Sequence, residues 1–151
     1  MDVQLRVLSS LDSALDLAEG LDAYAADATA DFRDHAPPAG TGLGLLKRVF
    51  EAPEGLVLVA EREAARIGYL VTGPLIDPLV GDRLPMVLAL YVDQSYRHRG
   101  LARALVDRAV AELEGRGMHF LAARAGHNDD ALISMGERWG FVRHWELMVR
   151  E

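Results

Sequence analysis

Apolar and polar residues alternate along 3–8, "VQLRVL", with the period of a half-buried strand. Ser10 or Asp12 stands where a helix wants an N-cap. From Ser13 to His35 the pattern predicts a helix, broken near Gly20. Its rough apolar face is Leu15, Leu17, Leu21, Tyr24, Ala28 and Phe32. "APPAGTGLG", 36–44, interrupts regular structure with Pro and Gly, and "LLKRVFEA" predicts a short helix. "GLVLVAER", 55–62, and "RIGYLVTGP", 66–74, are β-rich runs joined by "EAA", an antiparallel pair. "LPMVLALYV", 84–92, is almost wholly apolar and is expected to be buried on both faces.

The helix after Gly100 has the clearest pattern. Leu101, Leu105, Ala109 and Leu113 recur every four residues, flanked by Val106 and Val110, and "GRG" ends the run. "MHFLAARA", 118–125, predicts a strand. "NDDALISMGERWG" predicts a helix capped by Asn128 or Asp129, and "FVRHWELMVRE" a bent strand or strand pair. The order is βα(α)βββαβαβ. A β-α-β step across the helix from Gly100 requires two parallel strands with a right-handed crossover, while the early strands read as antiparallel. The expected fold class is α/β: a central mixed sheet flanked by helices on both faces, one domain over 1–151.

Composition narrows the partners. A chain of 151 residues buries about 70% of the surface its unfolded form exposes, so its core needs no staples. The net charge of −7 argues against a general nucleic-acid binder and permits a cationic substrate. There is no Cys, so disulfides, thiolate metal sites and a cysteine nucleophile are excluded. "MDVQLRVLSS" lacks the basic stretch and apolar core of a signal peptide, and no segment has eighteen uninterrupted apolar residues. The chain therefore reads as cytoplasmic, with no membrane partner.

Against this acidic background, "YRHRGLARAL" places Arg97, His98, Arg99 and Arg103 around the first turn of a helix. Helix starts favour anions, because their free N–H groups carry partial positive charge. With Gly100 at the pivot and Ala102 in the first turn, a ligand can approach the main chain. The residues alone leave two readings open. One is a helix start with solvated surface arginines. The other is a cradle for a phosphate-bearing ligand, with the arginines as a cationic rim.

The stretch "LYVDQSYRHRGLARALVDRA" resembles the acetyl-coenzyme A signature of the GCN5-related N-acetyltransferases. That family's pattern is Arg or Gln, two residues, Gly, one residue, then Gly or Ala; Arg97, Gly100 and Ala102 match it. Leu90, Tyr91 and Val92 match the strand before it, and the element order and "WGF" extend the resemblance over nearly the whole chain. The resemblance implies an N-acetyltransferase domain that moves an acetyl group from acetyl-CoA to an amine by direct attack. Main-chain amides across Arg97, His98, Arg99, Gly100, Leu101, Ala102 and Arg103 would hold the pyrophosphate. Pantetheine would enter a split between 84–92 and 118–123 and pair with the backbone of Leu90 and Val92. An N–H near Leu90 or Tyr91 would polarise the thioester carbonyl. Asn128 and Ala131 match a further family pattern, and a homodimer is compatible with it.

Departures from the family pattern leave the catalytic residues unassigned. Where relatives carry a Tyr that protonates the leaving thiolate, counting gives Met135 or Gly136. The central strand has no acid to act as base. Tyr91 faces either the acceptor side or the core. Glu61 and Glu63 reach the cleft through water or are hairpin surface charges. His127 is a candidate base or a capping residue, and His98 touches phosphate or solvent. The histidines lack metal-ligand spacing, so no metal is expected. "GTGLGLLK", 40–47, lacks the spacing of a phosphate loop and reads as a flexible loop over the acceptor cleft. Trp139 and Trp145 read as packing residues. The alternative functional reading is a non-catalytic acyl-CoA-binding sensor or partner module of the same fold.

Overall fold

The computed structural model describes residues 2–30, 36–126, 129–148 and 150. Its centre is an antiparallel sheet in the order β1-β2-β3-β4: β1 (Gln4–Val7), β2 (Leu56–Arg62), β3 (Ala65–Ile76) and β4 (Arg83–Val92). A two-residue turn with positive φ at Glu63 and Ala64 closes the β2–β3 hairpin, matching the sheet's own twist. One parallel bridge, Met86 to Ala122, adds the segment after the crossover helix to the free side of β4. The mixed sheet is thus present, with parallel pairing among the described residues confined to that bridge.

Helices cover both faces. On one lie α1 (Leu11–Ala14), a 3-10 turn (Leu15–Leu17), α2 (Ala18–Thr29) and α3 (Thr41–Glu51). Their Ala14, Leu17, Leu21, Leu46 and Val49 pack on Val57, Val59, Tyr69, Val71 and Ala89 of the sheet. On the other lies α4 (Leu101–Gly115), whose Leu101, Leu105, Ala109 and Leu113 pack on Leu56, Leu58, Ile67 and Leu70. The four-residue recurrence read from the sequence is the buried stripe of α4. The last helix, α5 (Asp130–Arg138), is capped by Asp129, whose Oδ1 accepts from the Leu132 amide at 3.0 Å. Ser10 caps α1, its Oγ accepting from the Ser13 amide. Among the described residues no helix is long and apolar enough to cross a membrane.

Several expectations are corrected. The first helical run breaks at the Leu15–Leu17 turn, and Gly20 lies inside α2, where a Cβ would meet the Tyr69 hydroxyl at 3.7 Å. Its predicted end, including His35, lies outside the described residues. "GTGLGLLK" is no flexible loop: α3 begins at Thr41, after Gly40 in a left-handed conformation. Gly42 there lets two helices touch. A Cβ on Gly42 would lie 2.1 Å from the Ala18 carbonyl oxygen, and the Gly42 amide donates to Asp22 Oδ1 at 2.6 Å. The segment 118–125 is not a full strand, because its backbone meets β4 at Ala122 alone. Residues 141–148 form no strand either: strand propensity needs a neighbour to take the amides, and Val142, Trp145, Leu147 and Met148 are exposed. β4 is buried on both faces only in part, since Tyr91 is 38% exposed.

Glu54 ties the lower end of the sheet together. Arg83 Nε and Nη2 donate to its two carboxylate oxygens at 2.6 and 2.9 Å, and Thr72 Oγ1 donates to its carbonyl at 2.7 Å. The Arg83 guanidinium holds the Glu54 carboxyl below its ordinary range, against the opposing pull of burial. A carboxyl whose pKa is lower folded than unfolded stabilises the fold above its unfolded value, near ~4.3, and loses that contribution as pH falls through the folded value. Tm should therefore fall more steeply on acidification in the native chain than in Glu54→Gln, as calorimetry across the acid range would register. Gly42→Ala should cost about 1–3 kcal/mol by forcing α2 and α3 apart, measurable by denaturant titration.

Candidate functional site

The site is built where β4 ends and α4 begins. β3 and β4 stay in register from Gly68–Val92 to Val71–Ala89, then resume at Thr72–Val87. Leu88 is the extra residue of a β-bulge. Below the bulge, the backbone of Pro85 and Val87 faces the 118–126 segment: Val87 N–H donates to the Ala122 carbonyl at 2.8 Å, and Ala122 N–H to that of Pro85 at 2.9 Å. Above it, Asp93 N–H donates to the Ile67 carbonyl, so alternation turns Ala89 and Tyr91 toward β3 and leaves Leu90 and Val92 facing outward. The two parallel segments are thus pinned at one point and separate above it. Of the two residues expected near a thioester carbonyl, register turns the Leu90 N–H to the open edge and the Tyr91 N–H to β3.

A turn carries the chain from Val92 to α4. It includes a 3-10 turn, Gln94–Tyr96, and two left-handed residues, His98 at φ 62° and Gly100 at φ 79°. Histidine in that region is strained, at a cost of order 1 kcal/mol, and such strain concentrates at functional sites. Gly100 carries no side-chain cap, and the Ala104 amide takes its carbonyl at 3.0 Å. No protein acceptor among the described residues takes the amides of Leu101 and Ala102. A Cβ on Gly100 would meet nothing within 4 Å, so the turn opens onto free space. These features fit an anionic group on the α4 N-terminus: free amides, the helix dipole and room for approach.

The expected cationic rim is arranged unevenly. Arg97 folds back over the strand end, its Nε donating to the Val92 carbonyl at 2.8 Å and its guanidinium 5.7 Å from the Tyr91 ring centre. Arg99 and Arg62 lie 6.0 and 5.9 Å from the Tyr96 ring. Arg103 is exposed on α4, 3.8 Å from Asp107. His98 is exposed beside them. Asn128 and His127 lie outside the described residues. Glu61 accepts from Arg6 Nε at 2.7 Å on the β1 side of the sheet, away from the open edge, and Glu63 stands in the exposed hairpin turn. Met135 and Gly136 both lie on α5. Trp139 packs on the α4 side, as expected, with Phe141 beside it, while Trp145, also read as a packing residue, is exposed. Among the described residues no three His, Asp or Glu form a metal-binding group.

A tyrosine cluster went unrecognised in the sequence. Tyr91 stacks on Tyr69, ring centres 5.4 Å apart and planes at 29°. Tyr24 of α2 packs on the same side. Burial, with Tyr24 and Tyr91 adding to it, pushes the Tyr69 phenol up to about 12. The available signal was a tyrosine in each of two apolar runs, Tyr69 in 66–74 and Tyr91 in 84–92.

The sequence of residues 18–141 matches the model of the Acetyltransferase (GNAT) family. This chain belongs to that family. Solved structures of GNAT proteins share its fold. A ribosomal-protein-alanine N-acetyltransferase from Brucella melitensis biovar Abortus 2308 superposes with a TM-score of 0.72 at 24% identity, covering 100% of this chain and 98% of that one. A GCN5-related N-acetyltransferase from Ralstonia eutropha JMP134 gives 0.73 at 22% identity, over 99% of each chain. The aminoglycoside acetyltransferase AAC(6')-Iy, in complex with the bisubstrate analog CoA-S-monomethyl-acetylneamine, gives 0.75 at 16% identity, over 100% and 98%. No curated protein matches the sequence. In this GNAT protein the family signature coincides with the turn at Gly100, whose two left-handed residues differ in chemistry. Gly100→Ala should cost about 1–2 kcal/mol through φ alone, whereas His98→Gly should leave stability unchanged or raise it. Urea denaturation of the two variants would test the contrast.

Proposed function

We propose that this GNAT protein transfers an acetyl group from acetyl-CoA to a primary amine by direct attack. One observation carries the reading: the bridge at Met86–Ala122, the one parallel pairing among the described residues, leaves the edge at Leu90 open, shortly before the free amides of the α4 start. The amides of Leu101 and Ala102, with the end of α4, are suited to a pyrophosphate. Hydrogen bonds to a charged acceptor contribute about 1.5–3 kcal/mol each. The outward N–H of Leu90 is suited to polarise a carbonyl in the split. Bound acetyl-CoA would supply an activated thioester: the amine nitrogen bonds to its carbonyl carbon, the C–S bond breaks, and the proton lost by nitrogen ends on the released thiol. Met135 and Gly136 offer no proton donor.

The same two residues favour a second reading, an acyl-CoA-binding module without turnover. Thiol release over a panel of amines separates the two, since binding without turnover or slow hydrolysis would select the module. Homodimerisation is supported by the exposed Val142, Trp145, Leu147 and Met148. Light scattering should give twice the chain mass, and a monomer at every concentration would reject it.

Acetyl-CoA at about 100 times its Kd should stabilise the fold by roughly 2.7 kcal/mol, raising Tm by about 5–11 °C. Gly100→Glu should abolish that shift while remaining folded, because its carboxylate would enter the space before the free amides. A native chain that shows no shift at millimolar acetyl-CoA would refute the proposal.

A further inference from the structure

The face of β4 toward α1–α3 holds chemistry that the transfer reaction leaves unspecified. The bulge at Leu88 puts Leu88, Ala89 and Tyr91 on this face, next to the split where the proposed reading brings acetyl group and amine together. Met86 joins them through its cross-strand partner Gly73, whose Cβ would lie 2.5 Å from Leu88 Cδ1. Beneath them Tyr69 is 7% exposed, with Tyr24 closing the cluster from α2. The floor from Met86 to Tyr91 contains no acid, and neither does β3 from Tyr69 to Leu75. Asp93 lies past the end of the strand. Among the described residues the carboxylates of the neighbouring helices are otherwise placed: Asp16 pairs with Arg66, Asp22 accepts from the Gly42 amide, and Asp12, Glu19, Asp27 and Glu51 are exposed.

Charge makes the floor selective. A protonated polyamine or amino sugar needs carboxylates or a bare aromatic face to replace its lost hydration. Tyr91, the exposed ring of the cluster, already has the Arg97 guanidinium 5.7 Å from its centre, and Arg97 is anchored to the Val92 carbonyl. A second cation there would meet like charge. An apolar body meets Leu88, Met86 and the edge of Tyr91 without that cost, and the nearby cation favours the unprotonated amine that attack requires.

Resting on the acetyltransferase reading, we infer that the acceptor is a small primary amine on an apolar, ring-bearing body, seated on the Met86–Leu88–Tyr91 floor, rather than a polycation. The reaction is the transfer already balanced above; the floor adds orientation of the carbon body. This departs from the cationic acceptor that the net charge permits, because overall charge reports the whole surface and the floor carries none of it.

The test compares 2-phenylethylamine with spermidine and kanamycin as acceptors, following thiol release from acetyl-CoA. Acetyl-CoA binding is measured separately by thermal shift. The native chain should favour 2-phenylethylamine in kcat/KM by about ten-fold or more, within the range one apolar contact region can discriminate. Tyr91→Phe should keep that preference. Tyr91→Glu and, as a second route should that variant fail to fold, Met86→Glu should shift it toward spermidine. If acetyl-CoA binds and spermidine or kanamycin equals or exceeds 2-phenylethylamine in the native chain, the acceptor inference falls and the transferase reading stands. If acetyl-CoA produces no shift, the transferase reading falls and takes this inference with it.

Discussion

One parallel bridge and the bulge above it organise the whole site. Ala122 exchanges two hydrogen bonds with Pro85 and Val87, and this holds the segment after α4 against the sheet. Had β4 continued regularly, Ala89 and Tyr91 would have turned their backbone outward and their side chains toward α4. The extra residue at Leu88 reverses both. Leu90 then turns its polar groups outward, Val92 gives its carbonyl to Arg97, and Tyr91 stacks on Tyr69 toward α1–α3. The outward backbone edge and the Tyr91–Tyr69 stack are two consequences of the same inserted residue.

The remaining architecture serves that edge. α4 begins close to the end of β4, which brings its free amides near the outward edge of that strand. The left-handed residues His98 and Gly100 make the tight return possible. Arg97 stiffens it by bonding the Val92 carbonyl, so a residue expected to face phosphate works partly as a brace. On the opposite face, Gly42 lets α3 lie directly on α2, which positions Tyr24 and Gly20 over Tyr69.

Legibility in the sequence followed the range of the interactions. The stripe of α4, the β2–β3 hairpin and the caps at Ser10 and Asp129 are set by residues a few positions apart, and all were readable. The Gly100 signature was readable because a turn that frees helix amides requires a particular local conformation. "GTGLGLLK" misled because a glycine that permits helix contact, Gly42, looks in one dimension like a glycine that permits a loop. The strand expected at 118–125 misled for a related reason: its residues favour extended structure, but only Ala122 finds a partner. The tyrosine cluster draws on three elements, 24, 69 and 91, and nothing local links them.

By itself the sequence determined the elements from β1 through α4, the buried stripe of α4, the family and the left-handed turn before α4, because each depends on periodicity or on conformational limits within a few residues. Only the tertiary structure decided where β4 parts from its neighbour, that Tyr91 faces Tyr69, and that Arg97 covers both strand end and ring. Those outcomes depend on hydrogen-bond register between distant segments, and a one-residue difference in register exchanges the faces of a strand without leaving a mark on its hydrophobic pattern.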